Sequence, residues 1–270
     1  MHAKRWITAL IALPFLIALI VWGGPLLFTI FIAAVATITL WEYFHIVFAG
    51  HQPAVPTAST IWSYAAGIAI IFAIEKYGFK AAAALMAIHL IGAGVLSIWR
   101  FKIDSDAPAV AVKQVFGLFY VPLFLSYAVL LYNDTNGIHW IFLLLLVVAA
   151  GDTGAYYVGS YWGRHKLCPA VSPKKTIEGA AGGLAASVII GTGYKLLFLP
   201  FLSVPACVLF AVVVGLVGQA GDLFESEFKR VAGIKDSGKL LPGHGGFLDR
   251  IDALLFALPT AYLLEEYLLT

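Results

Sequence analysis

Four aspartates stand out in a chain that is otherwise poor in charge: Asp152 in AAGDTGAYYVG, Asp222 in GQAGDLFESEFKR, and Asp249 and Asp252 in GGFLDRID. Each borders a long apolar run. A carboxylate is expensive inside a bilayer, about 2.5–3.5 kcal/mol at a helix centre and less near the interface. Several carboxylates at one depth therefore need cations between them. An oxygen-only donor set, with no Cys or paired His, suits Mg2+, which takes one or two carboxylates plus substrate phosphates. The competing account of each Asp is a hydrogen bond to a neighbouring helix.

Basic residues accompany the acids. On a helix, Asp222, Glu225, Ser226, Lys229 and Arg230 fall at spacings of three and four, on one broad face. Lys174, Lys175 and Thr176 directly precede another apolar run. Thr176 is placed to cap that helix, whose free N–H groups favour an anion. Gly179, Gly182 and Gly183 then permit close helix approach. Ordinary topogenic charge is the competing account of Lys174 and Lys175. In PGHGG, Gly243, Gly245 and Gly246 can turn backbone N–H groups toward phosphate. Carboxylates for a divalent metal, several Lys and Arg, and glycine backbone together suggest phosphoryl or nucleotidyl transfer. At lipid-headgroup depth, the expected substrates are one water-soluble phosphate compound and one lipid.

These residues must be carried by elements that suit a membrane. The chain has 270 residues, 61% of them hydrophobic and 12% charged, with mean hydropathy +0.91. A soluble domain carries roughly 25% charged residues, so the composition excludes a soluble core of this size. Nine apolar runs of spanning length are expected, near 5–22, 25–48, 60–75, 79–99, 113–132, 138–159, 177–199, 203–224 and 247–268. The expected fold is an all-α, polytopic integral membrane protein. The first run is read as a retained span, since no small-residue cleavage site follows it cleanly. With the N-terminus inside, only Lys76, Lys80 and Lys195 of the 17 Lys and Arg fall on the outer side. Two polar connections, 159–179 and 225–246, then face the cytoplasm, and chemistry is expected there. Residues 1–110 are expected to form a scaffold and 111–270 a catalytic region. Trp residues near span ends fit an interfacial belt. Glu42, His45 and His89 lie inside spans and are read as interhelical bonding partners in preference to a conduction path. Cys168 and Cys207 have neither metal-type nor disulfide-framework spacing.

The segments Ser226-Glu-Phe-Lys-Arg230, Lys235-Asp236, Pro242-Gly-His-Gly-Gly246 and Asp249-Arg-Ile-Asp252 closely resemble the signature of the phosphatidate cytidylyltransferase (CDP-diacylglycerol synthase) family. Gly151-Asp-Thr-Gly-Ala-Tyr156, Gly163-Arg-His-Lys166 and Ser172-Pro-Lys-Lys-Thr176 followed by Glu178-Gly179 also look like it. The resemblance covers about 150 to 252. It implies formation of CDP-diacylglycerol and pyrophosphate from CTP and phosphatidate, with Mg2+ as cofactor and a second cation left open. It also implies a homodimer in the inner (plasma) membrane with a cytoplasm-facing site. No nucleic-acid partner is expected. On this reading Asp222 and Asp249 hold metal, with Asp152 or Asp252 as further ligands. Lys174, Lys175, Lys229 and Arg230 hold the triphosphate or lipid phosphate, with Thr176, Ser226, Gly245 and Gly246 beside them. Arg250 meets phosphate or orients its flanking Asp residues. His244 orders the loop, contacts phosphate or shuttles a proton.

Two other functions use similar charges. A CTP-dependent lipid-alcohol kinase would transfer the γ-phosphoryl group and release CDP, but the PGHGG and DRID segments speak against it. An anion transporter would place its charges near the midplane of related halves, whereas here they gather on one face and the halves show no symmetry.

Overall fold

The computed structural model describes residues 13–238 and 245–269. Its helices are α1 (Leu13–Trp22), α2 (Gly24–Val47), α3 (Thr57–Tyr77), α4 (Phe79–Arg100), α5 (Ala107–Leu118), α6 (Phe124–Asn133), α7 (Gly137–Trp162), α8 (Ile177–Phe198), α9 (Val204–Val231) and α10 (Leu248–Leu264). A π-helical segment, Phe119–Leu123, joins α5 to α6 without a break. Seven stretches among the described residues are long and apolar enough to cross a membrane: α2, α3, α4, the continuous Ala107–Asn133, α7, α8 and α9. The protein is therefore an integral membrane protein. Of the nine expected spans, the first falls partly outside the described residues, and the ninth is the shorter α10.

Local sequence sets the element ends. Pro25 sits in the first turn of α2, where a missing N–H is harmless. Gly78, at φ +71, ends α3 and starts α4 in one left-handed turn. Pro122 lies in the π-helical segment, where the widened turn accommodates the hydrogen bond that proline cannot make.

The chain divides into two compact units. The first comprises the chain to Leu130 together with Ala232–Arg250. In it α2, α3, α4 and α5 pack together around Tyr43, Ile70, Ile74 and Leu118, all at most 1% exposed. The Tyr43 hydroxyl donates to Lys113 O (3.2 Å), and Lys113 Nζ donates to Val47 O (3.0 Å), which fixes the end of α2 against α5.

The second unit comprises Leu131–Val231 and the chain from Ile251. It is built on α7, α8 and α9, with Trp140, Phe210 and Val214 fully buried. The α7–α8 contact is a seam of small residues, the device that lets backbones approach where lipid removes the hydrophobic drive. A methyl group on Gly154 would lie 2.6 Å from Ala186 Cβ and 2.9 Å from Gly182 O, and one on Gly183 would lie 2.7 Å from Gly151 O. The close approach expected from Gly179, Gly182 and Gly183 is present. From Ile251 onward, α10 belongs to this unit. Asp252, near its start, feels the charges of Asp222, Glu225 and Lys229. Glu265 and Glu266, past its end, lie with Asp134, with carboxylate oxygens within 4.8 Å. With its π-helical continuation to Leu269, α10 is about 33 Å long at 1.5 Å per residue, enough for a hydrocarbon core of about 30 Å.

One element departs from an all-helical protein. Connection 159–179 contains an antiparallel hairpin, β1 (Lys166–Cys168) and β2 (Ser172–Thr176), with Lys166 opposite Thr176 and Cys168 opposite Ser172. Strands this short give no periodic signal.

Candidate active site

Thr176 ends β2 and caps α8. Its backbone is extended (φ −127, ψ 154), and its Oγ1 accepts from Gly179 N at 3.1 Å. The cap turns the chain so that Lys174 and Lys175 stand beside the first turn of α8. Glu178, in that turn, accepts from the backbone N–H of Arg164 (3.0 Å) and His165 (3.1 Å), and also pairs with His165 Nδ1 (2.6 Å). Arg230 Nε, from the end of α9, donates to Val171 O at 2.9 Å. The hairpin is thus held from both α8 and α9.

These contacts frame a cavity of about 370 Å3 within the second unit. Asp152, Tyr156 and Gly159 of α7 line it, with Lys174 and Lys175 of β2, Thr176 and Gly179 at the start of α8, and Gln219 and Asp222 of α9. Lys175 Nζ lies 2.5 Å from Asp222 Oδ2, each side chain about 30% exposed. Asp152 is within electrostatic reach of both. Ala155, Leu167 and Ala180 supply apolar wall. The cavity is therefore amphipathic: two ammonium groups and two carboxylates share it with aliphatic and aromatic surface.

The remaining sequence-derived candidates are distributed as follows. Lys229 is buried and paired with Glu225 at 2.5 Å, one turn away on α9. Ser226 is buried on the same helix. Asp252 belongs to the second unit, as do Asp152 and Asp222, whereas Asp249, Gly245, Gly246 and Arg250 belong to the first. Asp249 Oδ2 accepts from Ser237 N (2.9 Å) and Gly246 N (2.8 Å). The Gly246 N–H, expected to face phosphate, is thus directed to Asp249. Gly245, at φ +82, needs glycine twice over, since a methyl group there would also lie 2.8 Å from Asp249 Oδ2. Arg250 is exposed, and His244 lies outside the described residues. Among the described residues, only Asp134, Glu265 and Glu266 bring three potential metal-ligand atoms within 4.8 Å. Asp152, Asp222 and Asp252 do not form such a set.

Several residues escaped the sequence reading. Tyr156 stands four residues after Asp152 and Gln219 three before Asp222, so helical spacing from each Asp would have found both. Gln219 Nε2 donates to Ala180 O at 3.1 Å, which joins α9 to α8 at the cavity wall. Glu42 makes the interhelical bonds expected of it. It is fully buried in α2 and accepts from Ser237 Oγ (3.0 Å), Phe247 N (2.9 Å) and Leu248 N (2.7 Å). Its partners lie 195 to 206 residues away along the chain, and no sequence spacing identifies them.

The described residues thus form a polytopic helical membrane protein with a cavity that brings lysine and aspartate side chains together. The chain belongs to the cytidylyltransferase family, whose model matches residues 3–268. It is 49% identical over 126 residues to a phosphatidate cytidylyltransferase of Staphylococcus haemolyticus, an alignment covering 46% of this chain and 48% of the relative. Proteins of the same name from Staphylococcus saprophyticus and Staphylococcus aureus are 46% and 48% identical over the same length. The chain spans about half the length of the curated relatives it matches.

Proposed function

We propose that the chain is a CTP:phosphatidate cytidylyltransferase. The carrying observation is the amphipathic cavity, in which Lys175 and Asp222 meet at 2.5 Å beside Lys174 and Asp152 while Ala155 and Leu167 offer apolar wall. The chain's similarity to proteins named phosphatidate cytidylyltransferase supports the same reading. A phosphate oxygen of phosphatidate attacks the α-phosphorus of CTP. A new P–O bond forms, the bond to the β-phosphate oxygen breaks, and pyrophosphate leaves with that electron pair. The nucleophile is already an anion, so no dedicated base is needed. Catalysis rests on positioning and charge neutralisation. Lys174, Lys175 and the first turn of α8 hold phosphate oxygens. Arg230 keeps the hairpin in place, and Lys229, held by Glu225, sets the positive charge on the same face of α9.

Mg2+ fits this donor set. Asp152, Asp222 and Asp252 are oxygen donors, and a magnesium site needs only one or two carboxylates when substrate phosphates complete it. The contact of an ammonium group with Asp222 supports that carboxylate as the cation-facing one. When bound, the ion would neutralise phosphate charge as it develops. The distribution of Lys and Arg supports a cytoplasm-facing cavity in the plasma membrane. A homodimer is part of the same reading, implied by the family resemblance.

The test is purified protein in detergent with CTP, phosphatidate and Mg2+. Pyrophosphate release that requires phosphatidate, and that Asp222→Asn lowers at least about a thousandfold, is the expected result. CDP with a new phospholipid, or no turnover by the wild type, overturns the assignment.

A further inference from the structure

Glu42 raises a question that the cavity does not answer. A carboxylate buried in a membrane helix is costly unless every lone pair is used. Glu42 accepts three hydrogen bonds, all from one remote segment. Two come from Phe247 and Leu248 N–H, at the first turn of α10, where donors lack intrahelical partners and a negative charge is favoured. The third comes from Ser237 Oγ, on the other side of the loop. Ser237 and Asp249 are joined twice more: Ser237 N donates to Asp249 Oδ2 at 2.9 Å, and Asp249 N donates to Ser237 Oγ at 3.3 Å.

The glycines around Glu42 fit the same purpose. A methyl group on Gly238 would collide with Glu42 Oε1, and one on Gly246 would lie 2.6 Å from Glu42 Oε2 and 2.6 Å from Gly238 N. These positions are bare so that one carboxylate can reach both sides of the loop. We infer that Glu42 is a positioning residue: it clamps Ser237 to the start of α10 and so fixes where Asp249 stands. All of these residues lie in the first unit. The consequence for turnover rests on the proposed function together with the metal-holding role that the family resemblance implies for Asp249.

The test combines two readouts. Glu42→Gln keeps the shape but turns an NH2 group toward N–H donors. Amide hydrogen exchange in the purified full chain should speed up by about tenfold or more at Phe247 and Leu248, the factor that loss of a hydrogen bond to a charged group implies, with exchange in α3 and α4 unchanged. Ser237→Ala should give a smaller effect at the same amides, and the double variant should show less than the product of the two. In steady-state assays kcat should fall while KM for CTP stays within about threefold, because a misplaced loop harms the transition state more than initial binding. If Glu42→Gln does not fold, Ser237→Ala carries both readouts. Unchanged exchange at Phe247 and Leu248 overturns the clamp. Faster exchange with normal kcat overturns its part in turnover. Faster exchange in a protein whose wild type makes no CDP-lipid leaves the clamp standing and rejects the proposed function instead.

Discussion

The α7–α8 seam yields a prediction that joins packing to chemistry. Take Gly183→Ala. The added methyl group would lie 2.7 Å from Gly151 O, 3.1 Å from Ala155 Cβ and 3.3 Å from Gln219 Nε2. The first neighbour is backbone and cannot rotate aside, so α7 and α8 must part by about 0.7 Å to reach ordinary contact, a strain of about 1–3 kcal/mol. Ala155 and Gln219 line the cavity, and Asp152 follows Gly151 directly. The separation therefore moves the Asp152 wall away from Lys175 and Thr176. A misplacement approaching 1 Å can lower a rate by about a hundredfold. Gly183→Ala should therefore lower Tm and reduce kcat/KM by about 10- to 100-fold. Gly193→Ala is the control: on the same helix, nothing lies within 4 Å of its added methyl group, and a helical Gly→Ala change should leave stability equal or raise it by about 0.5–1 kcal/mol. The assay is thermal unfolding in detergent with pyrophosphate release on the same preparations. A Gly183→Ala protein as stable and active as Gly193→Ala would refute the link between seam and cavity.

Three further outcomes are expected. Lys174→Gln/Lys175→Gln should raise KM for CTP or lower kcat by at least about tenfold, as loss of charge-assisted phosphate contacts requires; unchanged CTP and phosphatidate kinetics in correctly inserted protein would return both residues to a topogenic role. Cys168, free and partly accessible on β1, should react with an impermeant thiol reagent from the cytoplasmic side alone, and labelling from outside in sealed right-side-out vesicles would reverse the orientation. Asp104, in the α4–α5 connection, is held below the usual carboxylate range by a hydrogen bond from His51 (3.0 Å), then by Asp106 N and the charges of His51 and Arg100. Its contribution to stability is therefore present above the ordinary carboxylate value and lost as pH falls through the lowered one. Asp104→Asn should lower Tm at neutral pH and converge with wild type in acid; an equal gap at all pH values would contradict this.

The spans were readable because lipid imposes one rule, twenty or so apolar residues with satisfied backbone, and α2, α3, α4, α7, α8 and α9 obey it plainly. The Thr176 cap and the glycine seam were readable because both are local in sequence. The hairpin was not, since three and five residues are too few for a period-2 pattern. Glu42 was read only as a bonding residue, because its partners are fixed by tertiary folding and no spacing announces them. The cavity was legible in part: Asp152, Lys174, Lys175 and Asp222 came from charge in an apolar context, whereas Leu167, an uncharged residue within a polar connection, carries no chemical signal of its own.

The central claim is that the cavity serves transfer of a cytidylyl group to a lipid phosphate. The most direct measurement is the fate of two labels when purified protein turns over phosphatidate with CTP labelled at the α- or the γ-phosphorus. The account predicts that the α-label enters the lipid fraction and the γ-label leaves as pyrophosphate, with both signals lost in Asp222→Asn. A γ-label in the lipid, with CDP released, would contradict it.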